Sequence, residues 1–165
     1  MDNQIRLIKN LKKKYPHSIE HIRKVKEGPA NVLKSNYDAC FNCFMYCFDL
    51  TYENIKDIEG IAFILKSFTD YVSYLINNLL CKIACVETED GDYVIYFSNK
   101  QPKHAGKLKS GKVESQWGRA HIWRHELSEV PLSYGNEVKY FQKTTKHLCI
   151  SALKQWAERK QKEEI

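Results

Sequence analysis

The chain has 165 residues, 43% hydrophobic and 28% charged, which fits one folded domain around one core. It carries a formal charge of +6, and no apolar run approaches the ~18 residues of a membrane span. The opening residues, Met1 to Arg6, lack the apolar stretch of a secretory signal, so the expected compartment is the cytoplasm.

The positive charge is concentrated at the start. Residues 1–26 hold Arg6, Lys9, Lys12, Lys13, Lys14, Arg23, Lys24 and Lys26 against Asp2 and Glu20. The spacing of Ile5, Leu7, Ile8 and Leu11 predicts a short basic helix over 3–14, ended at Tyr15-Pro16. Ser18 is placed to cap a second short helix over 19–26, and Gly28-Pro29 then breaks the chain. Residues 1–28 therefore read as a basic helical arm and residues 29–165 as the folded domain. Such an arm can be a solvated helix face, or it can meet an acidic partner, an anionic membrane or nucleic acid. Nucleic-acid binding is the weaker of these, because no recognisable motif or paired aromatic platform accompanies it.

Beyond the arm, Cys40, Cys43 and Cys47 step at helical spacing beside Phe41, Phe44 and Phe48, which predicts a buried helix over 42–49. Thr51 with Asn54 starts another helical segment. The apolar residues Ile64, Leu65, Phe68, Val72, Leu75, Ile76 and Leu79 predict a long amphipathic helix over 61–80. The pattern then alternates. Strands are expected at 82–86 and 93–97, joined as a hairpin through Glu89-Asp90-Gly91-Asp92. A second hairpin runs from His104–Leu108 to Lys112–Trp117. Residues 137–141 form a further strand, and 144–162 a final helix with Cys149, Leu153 and Trp156 on its apolar side. Helices first and an antiparallel sheet afterwards make an α+β fold.

Six cysteines lie mostly in apolar runs with no export signal, so they read as reduced thiols. Cys43 falls where a helix begins. Its thiol there meets unsatisfied backbone N–H groups and the positive end of the helix dipole, both of which favour the thiolate. The alternative is an ordinary buried cysteine. Cys40 competes for the reactive role, and Cys47 lies deeper. His104 opens a strand next to Ala105-Gly106, which lets another segment pack closely. A third group is needed to hold its imidazole. If Ser110-Gly111 is a two-residue loop, Ser115 shares a face with His104; a three-residue loop would offer Glu114 and Gln116 instead. A zinc site from Cys40, Cys43, Cys81 and Cys85, or from a helical His121-x-x-x-His125 pair, is disfavoured, because these residues do not sit in the polar turns of zinc knuckles.

The stretch Asn36-Tyr37-x-x-Cys40-x-Asn42-Cys43-Phe44-x-Tyr46 resembles the nucleophile helix of the NlpC/CHAP-type papain-like cysteine peptidase and amidase superfamily. The ordered string His104-Ala105-Gly106, Ser115-Gln116-Trp117-Gly118, Ile122-Trp123-x-His125 and Tyr134-Gly135 is similar to small members of that superfamily. The resemblance covers about residues 35–141. It implies a papain-like single domain in which Cys43 attacks a carbonyl and His104 is its base. Ser115, Glu114 or Gln116 would then orient the histidine, while Asn42 helps hold the oxyanion and Trp117 closes the strand facing His104. The implied activity is thiol-dependent acyl chemistry (peptidase, amidase, deamidase or acyltransferase) on a protein or small-molecule amide, with no cofactor or metal. The alternative is a catalytically weak or inactive module of the same fold that binds a protein, small molecule or nucleic acid with help from the basic arm.

Overall fold

The computed structural model describes residues 32–35, 42–60, 68–116, 121–127, 130 and 134–164. The expected arm, Cys40, Trp117, and the first turns of the helix expected over 61–80 lie outside these residues. The described elements are β1 (Val32–Ser35), α1 (Cys43–Cys47), α2 (Tyr52–Ile55), α3 (Phe68–Asn78), β2 (Lys82–Ile83), β3 (Tyr93–Ser98), β4 (Gln101–Lys109), β5 (Lys112–Gln116), β6 (His121–His125), β7 (Glu137–Phe141) and α4 (Lys146–Glu163).

All strand pairs are antiparallel, and the sheet runs in the order β1-β6-β5-β4-β3-β7-β2. The fold is thus α+β, with a C-terminal helix. Strand β3, paired on both edges by β4 and β7, has residues 93–97 all buried. A strand buried on both faces needs a partner on each edge and cover above and below. Alternation divides its side chains. Tyr93, Ile95 and Phe97 join the helices in the main core, with Phe44, Met45, Cys47, Phe48, Leu50, Tyr71, Leu75, Leu153 and Trp156. Val94 and Tyr96 point the other way, into a smaller cluster with Val113 and Val130.

Two expectations are corrected here. The strand expected over 82–86 is only Lys82–Ile83; it then turns into a short 3-10 segment at Cys85–Glu87, with Val86 almost fully exposed. It also does not pair with β3. Instead β7 inserts between them, with Val94 opposite Tyr140 and Lys82 opposite Phe141. The physical reason is burial: β7 brings Phe141 to the core side and Val138 and Tyr140 to the other, whereas β2 is exposed or half-buried. The turn residues are used differently as well. Asp92 is buried, and its carboxylate accepts from the backbone N–H groups of Glu89 and Lys143 at 2.8 Å each, tying the turn to the end of β7.

The expected hairpin at 104–117 adopts the two-residue loop. Leu108 faces Val113, Lys109 faces Lys112, and Ser110 and Gly111 both take positive φ (50° and 77°), as a tight primed turn requires. The final helix is capped by Thr145, whose side chain accepts from the Leu148 N–H, and it buries Cys149, Leu153 and Trp156.

Candidate functional site

Of the buried polar side chains of the sheet, His104, Ser115 and His125 lie together on one face. They are 1%, 0% and 2% exposed. Register brings them together. Ser115 follows Val113 by two residues, and Val113 lies opposite both Leu108 and His125, so all three side chains share the face of the smaller cluster. Gly106 makes the approach possible. A Cβ there would sit 2.5 Å from Val113 Cγ1 and 3.0 Å from Ser115 Cβ, so any side chain would push β5 away.

The contacts form a chain. Ser115 Oγ lies 3.0 Å from His104 Nε2 and 2.7 Å from His125 Nε2, and His125 Nδ1 lies 2.7 Å from the Glu126 carbonyl oxygen. A carbonyl only accepts, so His125 donates through Nδ1. With both rings neutral, His125 Nε2 then accepts from the Ser115 hydroxyl, and the hydroxyl accepts from His104 Nε2–H. One proton order satisfies these three contacts. Burial, and then the nearby His125, hold His104 well below its ordinary pKa of 6.5. The ring of His104 is stacked on Tyr134 at 4.2 Å and tilted against Tyr96 at 5.5 Å. His104 is therefore walled in by aromatics and a serine.

Cys43 occupies the first turn of α1. Asn42 caps that helix, its side-chain oxygen accepting from the N–H groups of Phe44 and Met45 at 3.0 Å each. That oxygen is thereby committed to the helix rather than to an oxyanion. Cys43 is half-buried against the main core. Burial pushes its thiol up to about 12, and the backbone hydrogen bond from Ala105 offsets only part of this. Cys47 donates to the Gly106 carbonyl at 3.3 Å, and burial raises its thiol well above the ordinary cysteine range.

The expected pairing of Cys43 with His104 does not form. Ala105 faces the helices with Cys43, and its neighbour His104 faces the opposite side with Tyr96 and Ser115. The thickness of the sheet lies between sulfur and imidazole. Glu114 also sits on the helix side. Its carboxylate accepts from Arg124 at 2.6 Å and from the Tyr46 hydroxyl at 3.3 Å, so it does not orient His104. Gln116 shares Glu114's side and is fully buried. Of the three orienting candidates, only Ser115 touches the histidine. His125 and Tyr134 were not assigned to the site from sequence. The helical His121-x-x-x-His125 pair, disfavoured above as a zinc site, does not form, because His121–His125 is strand β6. Among the described residues no group of three or more His, Cys, Asp or Glu could hold a metal.

Two cavities open on the helix side and the opposite side. One, of about 310 Å³, lies between α3 and the sheet and is lined by Ile76, Leu80, Phe97, Pro102 and Phe141 with Lys82, Lys100 and Lys139 at its edges. The other, of about 370 Å³, is floored by Leu108, Val113, Leu127 and Tyr140 beside the exposed Cys85. No helix among the described residues is long and apolar enough to cross a membrane.

The chain matches, over residues 32–142, the family model described as a domain of unknown function (DUF7689). The match spans all seven strands and α1 to α3, and the chain belongs to that family. No curated protein and no solved structure matches it.

Proposed function

We propose that this DUF7689 chain is a papain-like module of the NlpC/CHAP type that works by binding an acidic ligand rather than by thiol hydrolysis. The observation that carries this reading is the separation of Cys43 and His104 onto opposite faces of the sheet. A cysteine hydrolase needs its base within hydrogen-bond reach of the sulfur, and needs a thiol that ionises near neutral pH. Here the thiol is pushed up to about 12. The string that resembles the superfamily then has a structural role: Gly106 admits β5, Ser115 links the two histidines, and Tyr134 covers His104. The positive charge of the chain, +6 overall, is carried by residues 1–26, with eight Lys or Arg against two acids, and it is this arm that favours an acidic ligand.

Thiol labelling tests this. With a thiol pKa of about 12, the thiolate fraction of Cys43 at pH 7.5 is roughly a thousandth or less of that of an ordinary exposed cysteine. Brief iodoacetamide treatment in a Cys40→Ser background should therefore alkylate the exposed Cys81 and Cys85 first and leave Cys43 unmodified. Labelling of Cys43 ahead of Cys81 and Cys85, slowed by His104→Ala, would restore the hydrolase reading.

A further inference from the structure

The cavity between α3 and the sheet has a composition that packing alone does not require. Its floor is apolar, made by Phe97, Phe141, Pro102, Leu80 and Ile76. Its edges carry three lysines, from β2 (Lys82), the β3–β4 turn (Lys100) and β7 (Lys139), and no carboxylate lines it. Lys139 lies over the Phe97 ring at 4.7 Å and reaches Glu137 at 3.5 Å. Among the described residues neither Lys82 nor Lys100 has an acidic partner, so two of the three charges are uncompensated.

The turn that presents Lys100 adds an independent observation. Ser98 pairs with Gln101, so Asn99 and Lys100 are the two residues of a tight hairpin loop, with φ of 51° and 63°. Such a turn favours asparagine first and glycine second, because the second residue must hold positive φ. The neighbouring hairpin follows that rule with Ser110-Gly111. At position 100 the chain instead keeps a lysine in a backbone conformation that disfavours a side chain, and that lysine lines the cavity.

We infer that this cavity binds a small molecule carrying an anionic head, phosphate or carboxylate, on a flat apolar body. The head meets Lys82 and Lys100, with Lys139 beside them, and the body lies against the apolar lining, in which Ile76 is half-buried while Phe97 and Phe141 are only 4% and 2% exposed. Lysines act as mobile point charges and do not impose the planar fork of arginine, so either anion is accommodated. The volume, about 310 Å³, is at the small end of ligand pockets, which begin near 300 Å³. Asn77 and Ser73 of α3 also line the site and offer hydrogen bonds to a polar edge of the ligand.

The inference rests on the binding-module reading and names its ligand class, and the two fail separately. Rapid labelling of Cys43 overturns the former without touching this cavity. The direct test is titration of the full chain with 1-naphthyl phosphate and 1-naphthoate, against 1-naphthol and inorganic phosphate, followed by calorimetry and by NMR shifts at Phe97 and Phe141. At least one of the two naphthyl anions should bind tenfold or more tighter than naphthol and than inorganic phosphate. Lys100→Gly should weaken that binding three- to tenfold while the melting temperature holds or rises, since glycine suits the turn. The double variant Lys82→Gln/Lys100→Gly should weaken it further. Equal binding of naphthol, equal binding of inorganic phosphate, or full affinity in the folded double variant would each overturn the inference.

Discussion

Replacing Ser115 with alanine removes one hydroxyl and breaks two hydrogen bonds at once. The hydroxyl accepts from His104 Nε2–H at 3.0 Å and donates to His125 Nε2 at 2.7 Å, and the three side chains are at most 2% exposed. The alanine variant leaves one buried donor and one buried acceptor unpaired, at about 1–3 kcal/mol each. Relief of the serine's own desolvation offsets part of this, which leaves a net loss of about 3 kcal/mol. With a urea slope of about 1.5–2 kcal/mol/M for a domain of this size, the midpoint should fall by about 1.5–2 M. The assay is urea unfolding at pH 7.5, followed by both fluorescence and circular dichroism so that two-state behaviour is checked. The matching spectroscopic readout is the tautomer of each ring by long-range ¹H–¹⁵N correlation. His104 should carry its proton on Nε2 and His125 on Nδ1. A loss below about 0.5 kcal/mol, with unchanged tautomers, would refute the relay, because buried groups do not lose a hydrogen bond without cost.

Acid should weaken the fold through the same residues. His104 is held neutral well below 6.5, so the unfolded chain binds the proton first. Its contribution is complete above pH 6.5 and is lost as pH falls from there toward the folded value; a stability that is flat from pH 7.5 to 5, or identical in His104→Phe, would contradict this. Glu114→Gln should cost about 1 kcal/mol by weakening its contact with Arg124, and by unfolding titration it should leave the acid sensitivity of His104 unchanged, because Glu114 lies on the helix side of the sheet. Gly106→Ala should cost about 3 kcal/mol or more in chemical denaturation and disturb the His104 and His125 signals, since its Cβ would lie 2.5 Å from Val113 Cγ1 and 2.8 Å from the Glu114 carbonyl. Trp156→Ala, which empties a buried contact of α4 against Tyr71, should cost about 3–5 kcal/mol and leave the histidine tautomers as they are.

Local pattern was enough wherever an element is defined by its own residues. The run from Cys43 to Phe48, the stripe of Val72, Leu75 and Ile76, and that of Cys149, Leu153 and Trp156 each declare a helix and its buried side. At Ser110-Gly111 the pattern declares a turn but leaves two registers open; the structure takes the two-residue loop, which puts Ser115 rather than Glu114 or Gln116 beside His104. What alternation cannot say is which strand lies on the far edge of another, or on which side of the sheet a helix packs. Those choices depend on covering β3 from both edges and both faces at once. That requirement drew β7 between β3 and β2, displaced the expected hairpin, and placed α1 against Ala105 rather than His104. Whether Cys43 and His104 meet was therefore never a local property. It turned on one residue of pleat, and the packing of the core against Ile95 and Ala105 set the cysteine on one face and the histidine on the other.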